Sequence, residues 1–122
     1  MGGVLGLGLD LCAIGRIERA LQNERFLHRA FSEGERGRIA DRGAATAAGY
    51  FAAKEAVAKA LGTGFDGFFL DSIEIEPDAP GCPQCIPKGK ALERMRELGG
   101  SRVLITITHD AGVAAAVAVI VS

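Results

Sequence analysis

Near its start the chain runs Val4-Leu5-Gly6-Leu7-Gly8-Leu9-Asp10-Leu11, where apolar residues alternate with glycine. A period of two predicts a strand, and its glycine face predicts close approach to another backbone or to a ligand. From Ile14 the period changes. Ile14, Ile17 and Leu21 recur at helical spacing, which sets Arg16 and Arg19 together on the solvated side of a short helix. Arg25 and Arg29 repeat the basic theme one turn apart, beside Phe26 and Phe31. Ser32-Glu33-Gly34-Glu35 reads as a capping box opening a helix that ends near Gly43. A long alanine-rich helix from about Ala45 to Leu61 follows, suited to packing across a sheet.

The second half is β-rich. Asp71 to Glu76 alternates and predicts a strand with one wet face. The Pro and Gly cluster from Pro77 to Gly89 predicts a loop or hairpin with a short strand at Gln84 to Ile86. Leu92, Met95 and Leu98 give helical periodicity from Lys90 to Leu98, stopped by Gly99-Gly100. Val103 to His109 and Val113 to Val121 are β-prone runs, and Asp110-Ala111-Gly112 between them predicts an antiparallel hairpin.

With 122 residues, 48% hydrophobic and 24% charged, the chain is expected to form one soluble domain spanning 1–122. No apolar run reaches the roughly 18 residues of a membrane span, and Met1 to Leu11 carries no basic leader, so no membrane and a cytoplasmic location are expected. A formal net charge of -1 argues against a strongly basic nucleic-acid binder. Arginines nevertheless outnumber acids between Arg16 and Arg42, so an acidic partner could use that part. Cys82-Pro83-Gln84-Cys85 matches C-x-x-C, but only Cys12, His28 and His109 remain to complete a zinc set, none at a recognisable second-pair spacing.

Candidate chemistry gathers at the end of the long helix. Glu55 and Lys59 lie four apart on one face, before Gly62-Thr63-Gly64, and a carboxylate, an ammonium and a bare loop make a polyphosphate site. The alternative is an ordinary helix-stabilising pair, worth only about 0.2–0.5 kcal/mol. Asp10 closes an apolar strand, where it either caps the next helix or ligates a cation. His109, where its strand leaves the sheet, is a turn residue or a ligand. Gly6-x-Gly8 could be read as the phosphate cradle of a nucleotide-binding module, but it lacks the third glycine of the dinucleotide fingerprint.

Taken together, the Gly-Leu-Gly-Leu-Asp-Leu opening with Arg16-Ile17 after it, Phe51-Ala-Ala-Lys-Glu-Ala with Lys59 and Gly-Thr-Gly behind it, and Ile-Thr-Ile-Thr-His109 resemble the holo-[acyl-carrier-protein] synthase family. The resemblance covers nearly the whole chain. It implies a 4′-phosphopantetheinyl transferase of fatty acid biosynthesis, moving phosphopantetheine from coenzyme A to a serine of apo acyl carrier protein and releasing adenosine 3′,5′-bisphosphate. It implies an α+β fold, a long helix packed on an antiparallel sheet, assembled as a homotrimer with active sites at the subunit interfaces. The magnesium ligands of the family fall on Asp10 and Glu55, oxygen donors of the kind Mg²⁺ prefers. Lys59 matches a catalytic phosphate contact, and Gly62, Thr63, Gly64, Pro83 and His109 match the lining of the coenzyme A site. His109 is expected near the adenosine or its 3′-phosphate. Arg16, Arg25 and Arg29 match basic positions that dock the acidic carrier protein, with Phe26 as an apolar anchor. The base for the serine proton stays open between Glu55 acting through water and a metal-bound water. Two positions depart from the pattern: Tyr50 stands where many relatives carry arginine, and Cys82 where lysine is usual.

Overall fold

A computed structural model describes residues 2–62 and 70–122. In chain order the elements are β1 (Val4–Ala13), α1 (Ile14–Ala20), α2 (Glu24–Ala30), α3 (Glu33–Arg42), α4 (Ala44–Ala60), a 3₁₀ turn (Leu70–Ser72), β2 (Ile73–Pro77), β3 (Pro83–Pro87), α5 (Gly89–Glu97), β4 (Arg102–Asp110) and β5 (Val113–Val121). Strands β1, β5 and β4 form one antiparallel sheet in that order, and β2 pairs with β3 as a separate ribbon. The fold is α+β, with α4 lying across the larger sheet.

Two glycines decide how closely α4 can approach. A Cβ placed on Gly8 would sit 1.8 Å from the Ala56 carbonyl oxygen, and one on Gly6 would sit 2.0 Å from that of Ala60. Strand and helix therefore meet backbone to backbone, as the glycine face of β1 anticipates. The helix answers with small side chains: Ala52, Ala53, Ala56 and Ala60 are buried, and Ala114, Ala116 and Ala118 line the facing side of β5. Such a helix is apolar nearly all round because it is covered nearly all round, which makes the polar exceptions informative.

Lys54 is one exception, a fully buried cation. Its ammonium donates to the carbonyls of Leu70 (3.0 Å) and Ile73 (2.5 Å) and pairs with Glu35 Oε1 at 2.9 Å, so all three protons are used. Glu35 does more than the capping box requires. It accepts from Ser32 N–H at 2.8 Å, closing the box, and its other oxygen accepts from Ile75 N–H at 2.7 Å. One buried pair thus ties α3, α4 and β2 together. Burial pulls the Lys54 ammonium below its ordinary value, opposed by Glu35. Replacing Lys54 alone by methionine is expected to cost about 3–5 kcal/mol in urea unfolding, because Glu35 is left charged and unpaired. Lys54→Met with Glu35→Gln is expected to recover part of that loss.

The same contact explains a difference from the sequence reading. Asp71 and Ser72 belong to a 3₁₀ turn, not to the strand, because the Leu70 and Ile73 carbonyls turn inward to Lys54. The expected strand at Gln84 to Ile86 extends to Pro83 and Pro87, which pair with Pro77 and Ile73 at the two ends of the ribbon. The β4–β5 turn is two residues long, Ala111 (φ 51°) and Gly112 (φ 77°), the paired positive φ that matches sheet twist.

Register places the functional candidates. Asp10 pairs with Ala116, itself opposite Ile107, and Cys12 pairs with Ala114, itself opposite His109. Asp10 and His109 therefore occupy the two edge strands, separated by β5. The far side of the sheet is apolar and open, with Leu7, Leu9, Leu11 and Leu104 exposed.

Candidate active site

Asp10 stands at the edge of the glycine face of β1, where the close packing of α4 delivers Glu55 and Lys59. Lys59 Nζ lies 3.0 Å from Asp10 Oδ1 and donates to the Leu9 carbonyl at 3.0 Å. This corrects the helix-pair reading: Lys59 reaches across to β1, and no Glu55–Lys59 ion pair forms among the described residues. The capping alternative for Asp10 falls as well, since Ala13 is the N-cap of α1 and no side chain bonds there.

The Asp10 side chain is only 11% exposed, and its Oδ2 has no hydrogen-bond partner among the described residues. Glu55 is half-buried beside it. Burial, and then the neighbouring Asp10 carboxylate, push the Glu55 carboxyl up to about 7, against the pull of Arg16 and Lys59. Two carboxylates held close enough to resist joint ionisation, one with an orphaned oxygen, are what a divalent cation relieves. The donor set is hard oxygen and fits magnesium. Among the described residues no group of three or more His, Cys, Asp or Glu could hold a metal, so water or substrate oxygens would have to complete the coordination. The cysteines offer no rival: Cys12 and Cys85 are buried, and burial raises the Cys85 thiol to about 12.

Gly62 follows the C-cap of α4 with φ +77°. Arg94 of α5, which the sequence did not single out, donates from Nε to the Leu61 carbonyl at 2.9 Å, and its Nη2 lies 3.6 Å from where a Gly62 Cβ would be. It brings a guanidinium to the C-terminal end of α4 from 33 residues away. Thr63 and Gly64 lie outside the described residues.

Pro83 and His109 belong to a second group. They line a cleft of about 200 Å³ together with Arg42, Thr46, Tyr50 and Ile107. His109 Nε2 lies 2.8 Å from the Ala45 carbonyl; a carbonyl only accepts, so Nε2 carries the proton and donates. Gly49 makes room for the ring, since a Cβ there would stand 3.0 Å from Nε2. Asp10, Glu55 and Lys59 do not line this cleft. Within one chain the candidates thus divide into a carboxylate–lysine cluster and a cleft. Arg42 and Thr46 escaped sequence reasoning, because a helix-exit arginine and a lone threonine carry no motif.

Arg16 of α1 is exposed beside the carboxylates, near enough to act on Glu55, and Arg25 and Arg29 of α2 are exposed as well. Phe26 is half-buried, its ring 6.0 Å from Phe31 and 5.9 Å from Phe51 by centroid. Its packing fixes α2 on the core, with Arg25 and Arg29 turned outward.

This arrangement, acids and a lysine joined across a helix–strand contact with a cleft two strands away, defines a class. Residues 6–117 match the model of the 4′-phosphopantetheinyl transferase superfamily. The holo-[acyl-carrier-protein] synthase of Treponema denticola is 38% identical over 120 residues, covering 96% of this chain and 98% of that protein. The crystal structure of the Helicobacter pylori holo-[acyl-carrier-protein] synthase in complex with coenzyme A superposes with a TM-score of 0.82 at 32% identity, covering 93% of this chain and 98% of that one. The Bacillus anthracis holo-(acyl-carrier-protein) synthase, in complex with CoA (3′,5′-ADP), gives 0.80 at 31%, covering 98% and 97%. The chain belongs to the holo-[acyl-carrier-protein] synthase family of phosphopantetheinyl transferases.

Proposed function

We propose that the chain transfers 4′-phosphopantetheine from coenzyme A to a serine of apo acyl carrier protein in fatty acid biosynthesis, releasing adenosine 3′,5′-bisphosphate. The observation that carries this reading is the Asp10–Glu55 pair with its orphaned oxygen beside Lys59. Asp10 and Glu55 hold magnesium. The chemistry supplied by the bound ion is neutralisation of charge on the pyrophosphate as its P–O bond breaks. Lys59, already steered by Asp10, places a positive charge on the same side, and Gly62, without a side chain and at φ +77°, lets backbone approach the phosphates. His109 and Pro83 hold the nucleotide end in the cleft.

Arg16, Arg25 and Arg29 steer the acidic carrier protein, and Phe26 seats the helix that presents the last two. Assembly as a cytoplasmic homotrimer belongs to the same reading, and the open leucine face of β1 supports association of copies, since an exposed apolar patch of this kind marks a contact surface. Association of copies could also bring the cleft of one chain towards the carboxylates of another, completing each site at an interface.

The test is incubation with apo carrier protein, coenzyme A and magnesium, followed by intact-mass detection. The expected result is a mass gain of one phosphopantetheine that needs all three components; binding of coenzyme A without any gain would sink the reading in favour of a nucleotide-binding module. In the same assay Arg25→Ala with Arg29→Ala is expected to raise KM for carrier protein about tenfold at low salt, with KM for coenzyme A unchanged. The gap should close as salt is added.

A further inference from the structure

The C-terminal end of α4 is built around a cation to which the proposed reaction gives no part. Leu61, the C-cap, is fully buried, and its carbonyl is one of the acceptors that a helix end leaves without an intrahelical donor. Arg94 supplies that donor, Nε reaching the oxygen at 2.9 Å. It arrives there because Ala91 and Met95 are buried and anchor α5, which carries Arg94 at the edge of its packed face. Nη1 lies 3.3 Å from the Glu97 carboxylate, a group 66% exposed. Nη2 makes no hydrogen bond among the described residues and lies 3.6 Å from where a Cβ on Gly62 would stand.

A helix C-terminus carries a partial negative charge of about half an electron, concentrated on its last carbonyls. Such an end repels a phosphate. Yet Gly62, the exposed residue just beyond it, is the bare backbone that the proposed site sets against the pyrophosphate. A positive charge has to offset the helix end before that approach becomes favourable. Lys59 of the last turn is committed elsewhere, 3.0 Å from both Asp10 Oδ1 and the Leu9 carbonyl. Arg94 meets the need, because it bonds the C-cap carbonyl itself, keeps its charge at any working pH and turns a spare N–H edge towards Gly62. Glu97 offsets only part of that charge, since solvent screens an exposed carboxylate.

We infer that Arg94 is a positioning residue for the pyrophosphate of coenzyme A: it fixes the turn from Leu61 to Gly62 and cancels the negative end of α4, so that phosphate can lie against Gly62. The inference rests on the reading that coenzyme A is the donor and that its pyrophosphate lies beside Lys59. The test compares Arg94→Lys with Arg94→Gln in the intact protein, by transfer kinetics with apo carrier protein and by calorimetric titration with coenzyme A. Lysine keeps the charge; glutamine keeps a donor for the Leu61 carbonyl and loses the charge. Arg94→Gln is expected to raise KM and Kd for coenzyme A about tenfold, the size of one helix-end charge in a partly buried setting, with kcat and KM for carrier protein changed less than about twofold. Arg94→Lys should stay within about threefold of the unsubstituted protein for coenzyme A. A merely structural arginine would strike both variants alike and spread the loss to kcat and to the carrier protein. Equal losses in the two variants, no rise for coenzyme A in either, or an equal rise in KM for carrier protein would overturn the proposal while leaving the transfer reaction in place. Absence of transfer by the unsubstituted protein would sink the underlying reading instead, and this inference with it.

Discussion

Gly8→Ala is expected to abolish transfer and to lower the stability of the fold by about 3 kcal/mol, the upper part of the usual range for overpacking. The added methyl would stand 1.8 Å from the Ala56 carbonyl oxygen and 3.0 Å from the Ala60 nitrogen, and neither backbone atom can swing aside as a side chain can. Only a shift of α4 away from β1 removes the clash. That shift carries Glu55 and Lys59 away from Asp10 and breaks the 3.0 Å contact that sets the cluster. Gly3→Ala is the control: nothing lies within 4 Å of its Cβ position, and both melting and turnover should be unchanged. A Gly8→Ala protein that melts and turns over normally would show that the contact of helix and strand is not what aligns the acids.

Asp10→Asn and Glu55→Gln are expected to reduce turnover by about 10²–10³, the range found when one preorganised electrostatic partner of a transition state is removed. They should do so without lowering the melting temperature of the metal-free protein, because each relieves the repulsion between the two carboxyls. The pH dependence has a definite sign. The Glu55 carboxyl is raised from 4.5 to about 7 in the fold, chiefly by burial and then by Asp10. Its contribution to stability is therefore complete below about pH 4.5 and is lost as pH rises through 7. In the proposed site magnesium would take the ionised form, so its stabilising effect should be absent near pH 5 and grow above pH 7. Differential scanning fluorimetry with and without magnesium checks this. A magnesium shift that persists unchanged in Glu55→Gln, or that ignores pH, would remove Glu55 from the ligand set.

Local chemistry was legible in the sequence wherever one element carries its own signal. The capping box at Ser32 and Glu35, the glycine face of β1 and the alanine run of α4 appear as read, and the turn read at Asp110 to Gly112 narrows to Ala111 and Gly112, Asp110 pairing with Val113 in the sheet. What the sequence could not show was partnership across long separations. Spacing made Glu55 the natural partner of Lys59, yet Lys59 bonds Asp10, 49 residues away, because α4 lies directly on β1. Glu35 read as a cap and nothing more, since its second oxygen serves an amide 40 residues downstream. Tyr50 read as the loss of a cation until α3 placed Arg38 against its hydroxyl. In each case the missing information was tertiary: which face of one element meets which face of another.

The order of strands across the sheet also has a consequence for how the enzyme comes into being. The latest strand in the chain, β5, lies between the earliest, β1, and its own hairpin neighbour β4. During synthesis, β1 cannot take its sheet partner until Val113 and the residues after it have left the ribosome. A message cut short before Val113 yields a product in which the first strand never acquires a neighbour and α4 has no floor to lie on. Incomplete copies are thus inert by construction, and candidates for disposal.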